Sequence, residues 1–497
     1  MKDARISIEK LHNKLQENRW TYKKFEIEGD KKHLLYNEYA YFYDYARDAL
    51  YNSDATFDTD AISHFYEQDE IEGEAFTLKI RKRKKPYRLN IKSVTLRIFN
   101  TGIGVLAIEL ENRTYTQLAD ILNINDFGRR IYPQFIGEND LEASKNVALA
   151  DSITIGEYQE NFKEPNIFNT YVGEHIMALL GKNIFTQYKR ESNKYYLQPS
   201  LDDRMFVVSW YGSDEESNRL KEKDYLQDDD WCRYLFIDNG DITIENSAMK
   251  QRLLESATYE RWSDIGTLYG ISRYSFMTLT SREWFPLNII QPHVGTMYFQ
   301  MMTLLLATRT SILRFSDEIA SLASTNKNIE IKKLTKLYQR YLTFYNRLYF
   351  KEVTHQEQGI ELYEIARKQM KIDEHMEKLD NKFNKLFEFA KIQSDSESSD
   401  KMDKLTYLGA IFLPPSLMVA ILSIGIFDYN NTDNIAGWVF GSIMLTVIFG
   451  IFSIFKSFQK KSMAILYGVL FTMIVLIAYG NIDAGHQEKP VDVKIVK

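Results

Sequence analysis

Three long stretches near the C-terminus carry no charge at all, and they limit what this chain can be more than any other feature. Leu405 to Phe427, Ile435 to Phe455 and Met463 to Tyr479 contain no Asp, Glu, Lys or Arg. At about 1.5 Å of rise per residue, a helix over either of the first two reaches roughly 30 Å, the thickness of a hydrocarbon core. Each Leu, Ile, Phe or Val near the bilayer centre is worth about −0.3 to −0.6 kcal/mol on insertion, so the second run gains several kcal/mol by spanning. Core helices of soluble domains rarely need that length. The sequence therefore predicts an α+β membrane protein. Its parts are a large α/β region over 1–290, long stalk helices over 291–400, a transmembrane region over 401–480 and a polar tail over 481–497. Spans are expected at about 405–427, 435–455 and 463–479; the third is shortest, and a full span, a tilted span and a re-entrant segment all stay open for it.

The flanks orient these runs. Lys401 and Lys404 precede the first, Lys456, Lys460 and Lys461 lie between the second and third, and the link Asp428 to Asn434 has no basic residue. Basic residues favour the inside, which predicts a multi-pass protein of the cell inner membrane with its large N-terminal region cytoplasmic. Lys489, Lys494 and Lys497 oppose this for a third crossing. The start MKDARISIEK has no signal-type apolar core, so insertion is expected to rely on the C-terminal runs. Cys232 is the only cysteine, which excludes disulfide frameworks and cysteine-rich zinc sites. A net charge of −6 gives no basic field for nucleic acid, and none is expected as a direct partner.

Ahead of the membrane region, helical spacing marks residues 1 to about 55. Strand-like segments follow at Phe76 to Ile80, Tyr87 to Phe99 and Gly104 to Leu110, with helix at Thr116 to Leu122 and further strands at Arg204 to Trp210 and Tyr234 to Ile237. This pattern predicts an α/β domain of two similar lobes. From Val294 to Leu322, and again from Ile329, helix-forming sequence runs without proline. Leu362, Ile365, Ile372, Met376, Leu379, Phe383, Leu386 and Ala390 form a seam with only Gln369 interrupting. Its partner is either Val294 to Leu322 of the same chain or copies of itself. After it, Asp395, Glu397 and Asp400 would repeat around any symmetry axis as an acidic vestibule; the alternative is a solvated polar stretch.

Three clusters suit an anionic ligand. Asp126-Phe127-Gly128-Arg129-Arg130 sets two guanidinium groups beside a glycine, a phosphate grip. Asp202-Asp203-Arg204 precedes a strand, where acids could hold ribose hydroxyls or an amine. Arg261-Trp262, Tyr269-Gly270 and Arg273 offer an aromatic face for adenine and two cations. The alternative for each is a structural ion pair or a buried ring. The basic run Arg81 to Lys85 reads most simply as an exposed hairpin tip, with contact to anionic lipid as the minor alternative. No P-loop, His-Glu-x-x-His, Gly-x-Ser-x-Gly or dinucleotide fingerprint occurs, so the chain is not expected to be an enzyme.

The first apolar run differs chemically from the others. Pro414-Pro415 sits near its middle, and a helix-interior proline frees a carbonyl that protein or water must satisfy. Met402, Leu405, Gly409, Leu413, Ser416, Ala420 and Ser423 fall on one stripe, fit either for a water path or for close helix packing. A long helix entering Lys404-Leu405-Thr406, then Ile411-Phe412-Leu413-Pro414, a short polar link and a second span, resembles the CorA-type metal ion transporters. That resemblance covers roughly 329–455. It implies a homopentamer with a cytoplasmic funnel and a pore lined by Met402, Leu405, Gly409, Leu413, Ser416 and Ala420.

The family's Gly-Met-Asn signature would fall on Ser423-Ile424-Gly425, and a glycine at the outer mouth presents no side-chain carbonyl to a hydrated cation. Asp428, Asn430, Asn431 and Asp433 remain there to attract cations. The layout is also similar to the CorA-like membrane effectors of type III CRISPR systems. That likeness implies opening by a nucleotide second messenger, an S-adenosylmethionine–AMP conjugate, in antiviral defence. The expectation is a cation-conducting homo-oligomer gated by a small anionic nucleotide, in contact with membrane lipid and with Mg²⁺ or another divalent ion as cargo. A constitutive magnesium transporter and a membrane-anchored receptor or scaffold without a pore are the alternatives. Cysteines placed at Ser416 and Ala420 should react with water-soluble thiol reagents in a pore; complete protection of both would favour the poreless alternative.

Overall fold

The computed structural model describes residues 4–392, except 30–31, 52–55, 82, 133–148, 163–171, 189–192, 223, 241–242 and 326–330, together with residue 402. Met1–Phe387 and Glu388–Lys497 form separate compact units. The expected spans, the acidic stretch and polar tail, and with them Leu405, Gly409, Leu413, Ser416, Ala420, Ser423, Gly425, Asp428, Asn430, Asn431 and Asp433, lie outside the described residues. Met402 is helical and exposed. Among the described residues no helix is long and apolar enough to cross a membrane.

The first 155 or so residues are organised by one long strand. Helices α1 (Ala4–Gln16), α2 (Lys32–Tyr41) and α3 (Asp44–Leu50) accompany strands β1 (Thr21–Tyr22), β2 (Ser63–Glu67), β3 (Ala75–Ile80), β4 (Tyr87–Phe99), β5 (Gly104–Glu111), β6 (Ala150–Ile155) and β7 (Tyr158–Asn161). These strands make an antiparallel sheet in the order β1-β2-β4-β3-β6-β7, with β5 on the other edge of β4. Tyr87, Leu89 and Ile91 are buried and Arg88, Asn90 and Lys92 exposed, and beyond the register shift at Ile91/Ser93 the buried set becomes Val94, Leu96 and Ile98. One extra residue changes the phase of the pleat, so both halves of β4 face the same core. The basic run is not simply an exposed tip: Arg81 pairs with Asp151 at 3.5 Å, and Arg83 pairs with Asp120 at 2.9 Å and lies over the Tyr87 ring. Only Lys84 and Lys85 fit the exposed reading, Lys82 lying outside the described residues.

The second sheet has a different plan, which corrects the expectation of two similar lobes. Helix α4 (Leu118–Phe127) buries Phe127 in the first core and Leu122 in the second. After helix α5 (Glu174–Leu180) and the short parallel pair β8 (Phe185–Thr186) and β9 (Tyr195–Tyr196), β10 (Val207–Gly212), β11 (Thr258–Trp262), β12 (Thr267–Ile271) and β13 (Ser275–Thr280) form a mixed sheet. Its order is β10-β13-β12-β11, with β10 and β13 parallel and the other pairs antiparallel. Every residue of β12 and β13 is buried, which produces unbroken runs instead of alternation.

Helices α6 (Asp214–Glu222), α7 (Asp229–Phe236) and α8 (Ser247–Ala257) lie between β10 and β11 in the chain. The expected strand Tyr234 to Ile237 is thus the end of α7. The Asp228 side chain accepts the Trp231 N–H at 2.7 Å, acids fill the first turn, and Ile237 closes the helix with φ 54°. Capping outweighs the β preference of the aromatic run here.

Helical sequence over 291–400 does not form a single free-standing stalk. The chain passes through π-helical turns at Pro286–Ile290 and Val294–Tyr298 into α9 (Phe299–Thr325), then α10 (Ile331–Arg347), α11 (Glu357–Gln369) and α12 (372–392). The seam divides at Lys371, whose φ is +55°, with Arg367 paired to Asp373 across the break. Within one chain Leu362, Ile372, Met376, Leu379, Phe383 and Leu386 are already buried. Phe383 meets Tyr341 of α10 at 4.4 Å and Phe387 meets Tyr338 at 4.7 Å, so α10 covers the α12 part, while α9 packs against α11.

Two imidazoles are shut inside. His64 and His175 are fully buried; among the described residues neither His64 ring nitrogen has a hydrogen-bond partner, and His64 stacks on Phe57. Burial, and for His64 also the neighbouring His12, brings each pKa down to about 4 from an ordinary 6.5. Below pH 6.5 the unfolded chain takes up these protons and the folded chain does not, so stability should fall as pH drops towards 4, by roughly 3 kcal/mol per group. Melting curves of the full chain and of His64→Gln should converge as pH falls from 7 to 4.5; parallel curves would contradict this.

Candidate functional site

The end of α4, the approach to β10, the β12–β13 turn and the middle of α9 supply arginines to one basin. Two of the clusters recognised in the sequence are joined here. Arg130 and Arg204 form an antiparallel β-bridge, fixed by Ile131 N–H to the Asp203 carbonyl at 2.9 Å and Met205 N–H to the Arg129 carbonyl at 2.7 Å. Backbone pairing thus brings Arg129 and Arg130 against Asp202, Asp203 and Arg204. The Arg130 guanidinium binds Asp203, Arg204 reaches Asp203 at 3.3 Å and Asp202 at 3.5 Å, and Arg129 reaches Asp126 at 3.5 Å.

The third cluster separates. Arg273 joins the basin, because the β12–β13 turn lies beside β10: Val207 N–H donates to the Tyr274 carbonyl at 3.1 Å. Arg261 and Trp262 end β11, opposite Thr267, at the far end of β12. Arg261 is held there by Glu361 at 3.4 Å and Glu357 at 3.6 Å. Tyr269 is buried among Tyr259, Phe276 and Tyr298, and the space a Gly270 side chain would take is filled by Leu235 and Trp231. No adenine-stacking face exists at Tyr269-Gly270, and the residues placed there serve packing.

Arg309 was not singled out in the sequence. It is the one Asp, Glu, Lys or Arg between Glu283 and Arg314, and a lone cation in an apolar helix is a signal that could have been used. Its Nη1 donates to the Arg273 carbonyl at 3.0 Å and its guanidinium lies 5.7 Å from the Tyr274 ring. Among the described residues, five arginines here face three carboxylates, Asp126, Asp202 and Asp203.

The electrostatics are those of an under-neutralised pocket. Burial, then the charge of Arg204, lowers Arg129 from the ordinary guanidinium range; burial, then Arg273, lowers Arg309. Asp203 is raised by burial and by Asp202 beside it. For Asp202 burial acts upward but is outweighed by hydrogen bonds from Asp203 and the charges of Arg204 and Arg129, so it is lowered. Among the described residues, the Nε atoms of Arg129, Arg130 and Arg309 are buried without a hydrogen-bond acceptor. Buried donors of this kind are normally satisfied, and a bound anion would satisfy them. Among the described residues no group of three or more His, Cys, Asp or Glu is placed to hold a metal ion.

No protein-family model, no curated protein and no solved structure matches this chain. Removing the partly buried cation in Arg130→Met should lower stability by roughly 1–3 kcal/mol, because Asp203 loses one of its two charged partners and keeps only Arg204. Arg261→Ala, at a solvent-exposed pair, should leave the denaturation midpoint unchanged. Equal midpoints for both variants would contradict this reading of the basin.

Proposed function

We propose that this protein is a homo-oligomeric, cation-conducting channel of the inner membrane, opened by a small anionic nucleotide bound in its N-terminal region. One observation carries the reading. The arginine basin draws its cations from the end of α4, the approach to β10, the β12–β13 turn and α9, so an anion seated there acts on the helical layer that precedes the apolar runs in the chain. Burial lowers His375 of α12, and so do the charges of Arg309 and Arg273; the field of the basin therefore reaches the last described helix. Opening requires only that the anion bind the open arrangement more tightly than the closed one.

The charge-free runs supply the membrane part of the proposal, with Pro414-Pro415 in the first of them as the water-lined segment. Five copies, an outer mouth at Gly425 to Asp433 and an S-adenosylmethionine–AMP conjugate as messenger come from the likeness to CorA-like effectors. Gly425 speaks against a dedicated magnesium transporter, because it has no side-chain carbonyl for the hydrated ion. In planar bilayers the purified full-length chain should pass current after addition of a nucleotide messenger and little before it. Silence with every messenger tried, or equal current without one, would contradict the proposal.

A further inference from the structure

Within the basin the cations are not equally matched. Arg129, Arg130 and Arg204 each lie within ion-pair distance of Asp126, Asp202 or Asp203. Arg273 and Arg309 have no carboxylate ion pair among the described residues. Arg309 is only 6 % exposed, its Nε has no acceptor among the described residues, and Nη1 is spent on the Arg273 backbone. Arg273 is half-buried, and its backbone carbonyl accepts that bond. The Arg309 guanidinium sits on the Arg273 backbone carbonyl and feels the Arg273 charge; two like charges this close, one of them buried, ask for an anion. Their planar forks suit the paired oxygens of a phosphate, and the Tyr274 ring bounds the same space. Asp202 is a carboxylate of the same basin, bonded to Arg204 at 3.5 Å and to the Asp203 N–H at 2.8 Å, and its charge acts on Arg309.

We infer that Arg309 and Arg273 are the phosphate anchor of this site, and that Asp202 competes with the incoming phosphate for them. The inference rests on the reading that the arginine basin is the ligand site, and it adds the atoms that hold the charge. A phosphate group, whether of inorganic pyrophosphate or of a nucleotide, is the chemistry recognised. Arg309 belongs to α9, so capture is registered on the helix that also holds the first sheet through Arg314 and Ser311.

Calorimetric titration of the detergent-extracted full chain with pyrophosphate, AMP and uncharged adenosine tests this. One or both anions should bind and adenosine alone should not. Equal affinity for the two anions would identify a phosphate site as such, and preference for AMP a nucleotide site. Arg309→Ala and Arg273→Ala should each weaken binding by about tenfold or more, Arg309→Lys by less, and Asp202→Asn should tighten it severalfold. Arg261→Ala should bind as the wild type does. If Arg309→Ala does not fold, Arg273→Ala and Asp202→Asn carry the test. Binding of neither anion, wild-type affinity in Arg273→Ala, or weaker binding in Asp202→Asn would each overturn the inference. Bilayer currents separate it from the channel reading. Anion binding without current defeats the channel and leaves the anchor standing, whereas gated current indifferent to Arg309 and Arg273 does the reverse.

Discussion

The architecture turns on one buried helix that touches both sheets. Helix α9 enters the interior with Leu304, Leu305, Ala307, Ile312 and Phe315 fully covered, and it spends its few polar groups on fixed partners. Gln300 bridges Glu38 and Arg97 at 3.1 Å each, Ser311 meets Thr101 at 2.9 Å, and Arg314 donates to the Thr101 carbonyl at 2.6 Å. These contacts all go to the first sheet and its flanking helices, while Arg309 alone goes to the turn of the second. An interior packed at crystal-like density passes displacement from one element to the next, because no neighbour can yield by itself. A shift at the Arg309 end therefore cannot stay local. It is felt along α9, in α10 through Phe315 against Phe344 and Tyr341, and from Tyr341 in α12 through Phe383.

That geometry gives the arginine basin its significance. Ion pairs confined to a single sheet would stabilise the fold and do no more, and Arg261 with Glu357 and Glu361 is an example of pairing at the surface. The basin combines the end of α4, the turns of the second sheet and α9, and among the described residues it leaves buried guanidinium donors without acceptors. Burying charge is costly unless it is matched, and that cost is the ground on which the anion site is proposed. Asp202 and Asp203 moderate the preference without abolishing it, since Asp203 is already engaged by Arg130.

Much of the first sheet was legible in the sequence because its strands alternate. The expected Phe76 to Ile80 and Tyr87 to Phe99 coincide with β3 and β4, and Gly104 to Leu110 falls within β5. The second sheet was harder to read. Its central strands are buried on both faces and carry no alternation, and the Asp228 cap turned an aromatic run into α7. The break at Lys371 left no glycine or proline as a marker, so the seam read as one helix. At the site, charge clusters adjacent in sequence were visible. The long-range pairing that joins Arg130 to Arg204 was not, since a β-bridge across more than seventy residues leaves no local pattern. Proximity along the chain also misled: Arg261 and Arg273 sit twelve positions apart yet end opposite edges of a strand pair.

The central claim is that anion capture in the basin moves the helices leading to the apolar runs of several copies at once. Distances between spin labels at Lys385→Cys in neighbouring subunits, an exposed position on α12, measure this directly. With saturating AMP or pyrophosphate the distribution should shift by several ångströms, and in Arg309→Ala it should stay where it was. An absence of any inter-subunit distance, or a distribution that no anion alters, would contradict the account.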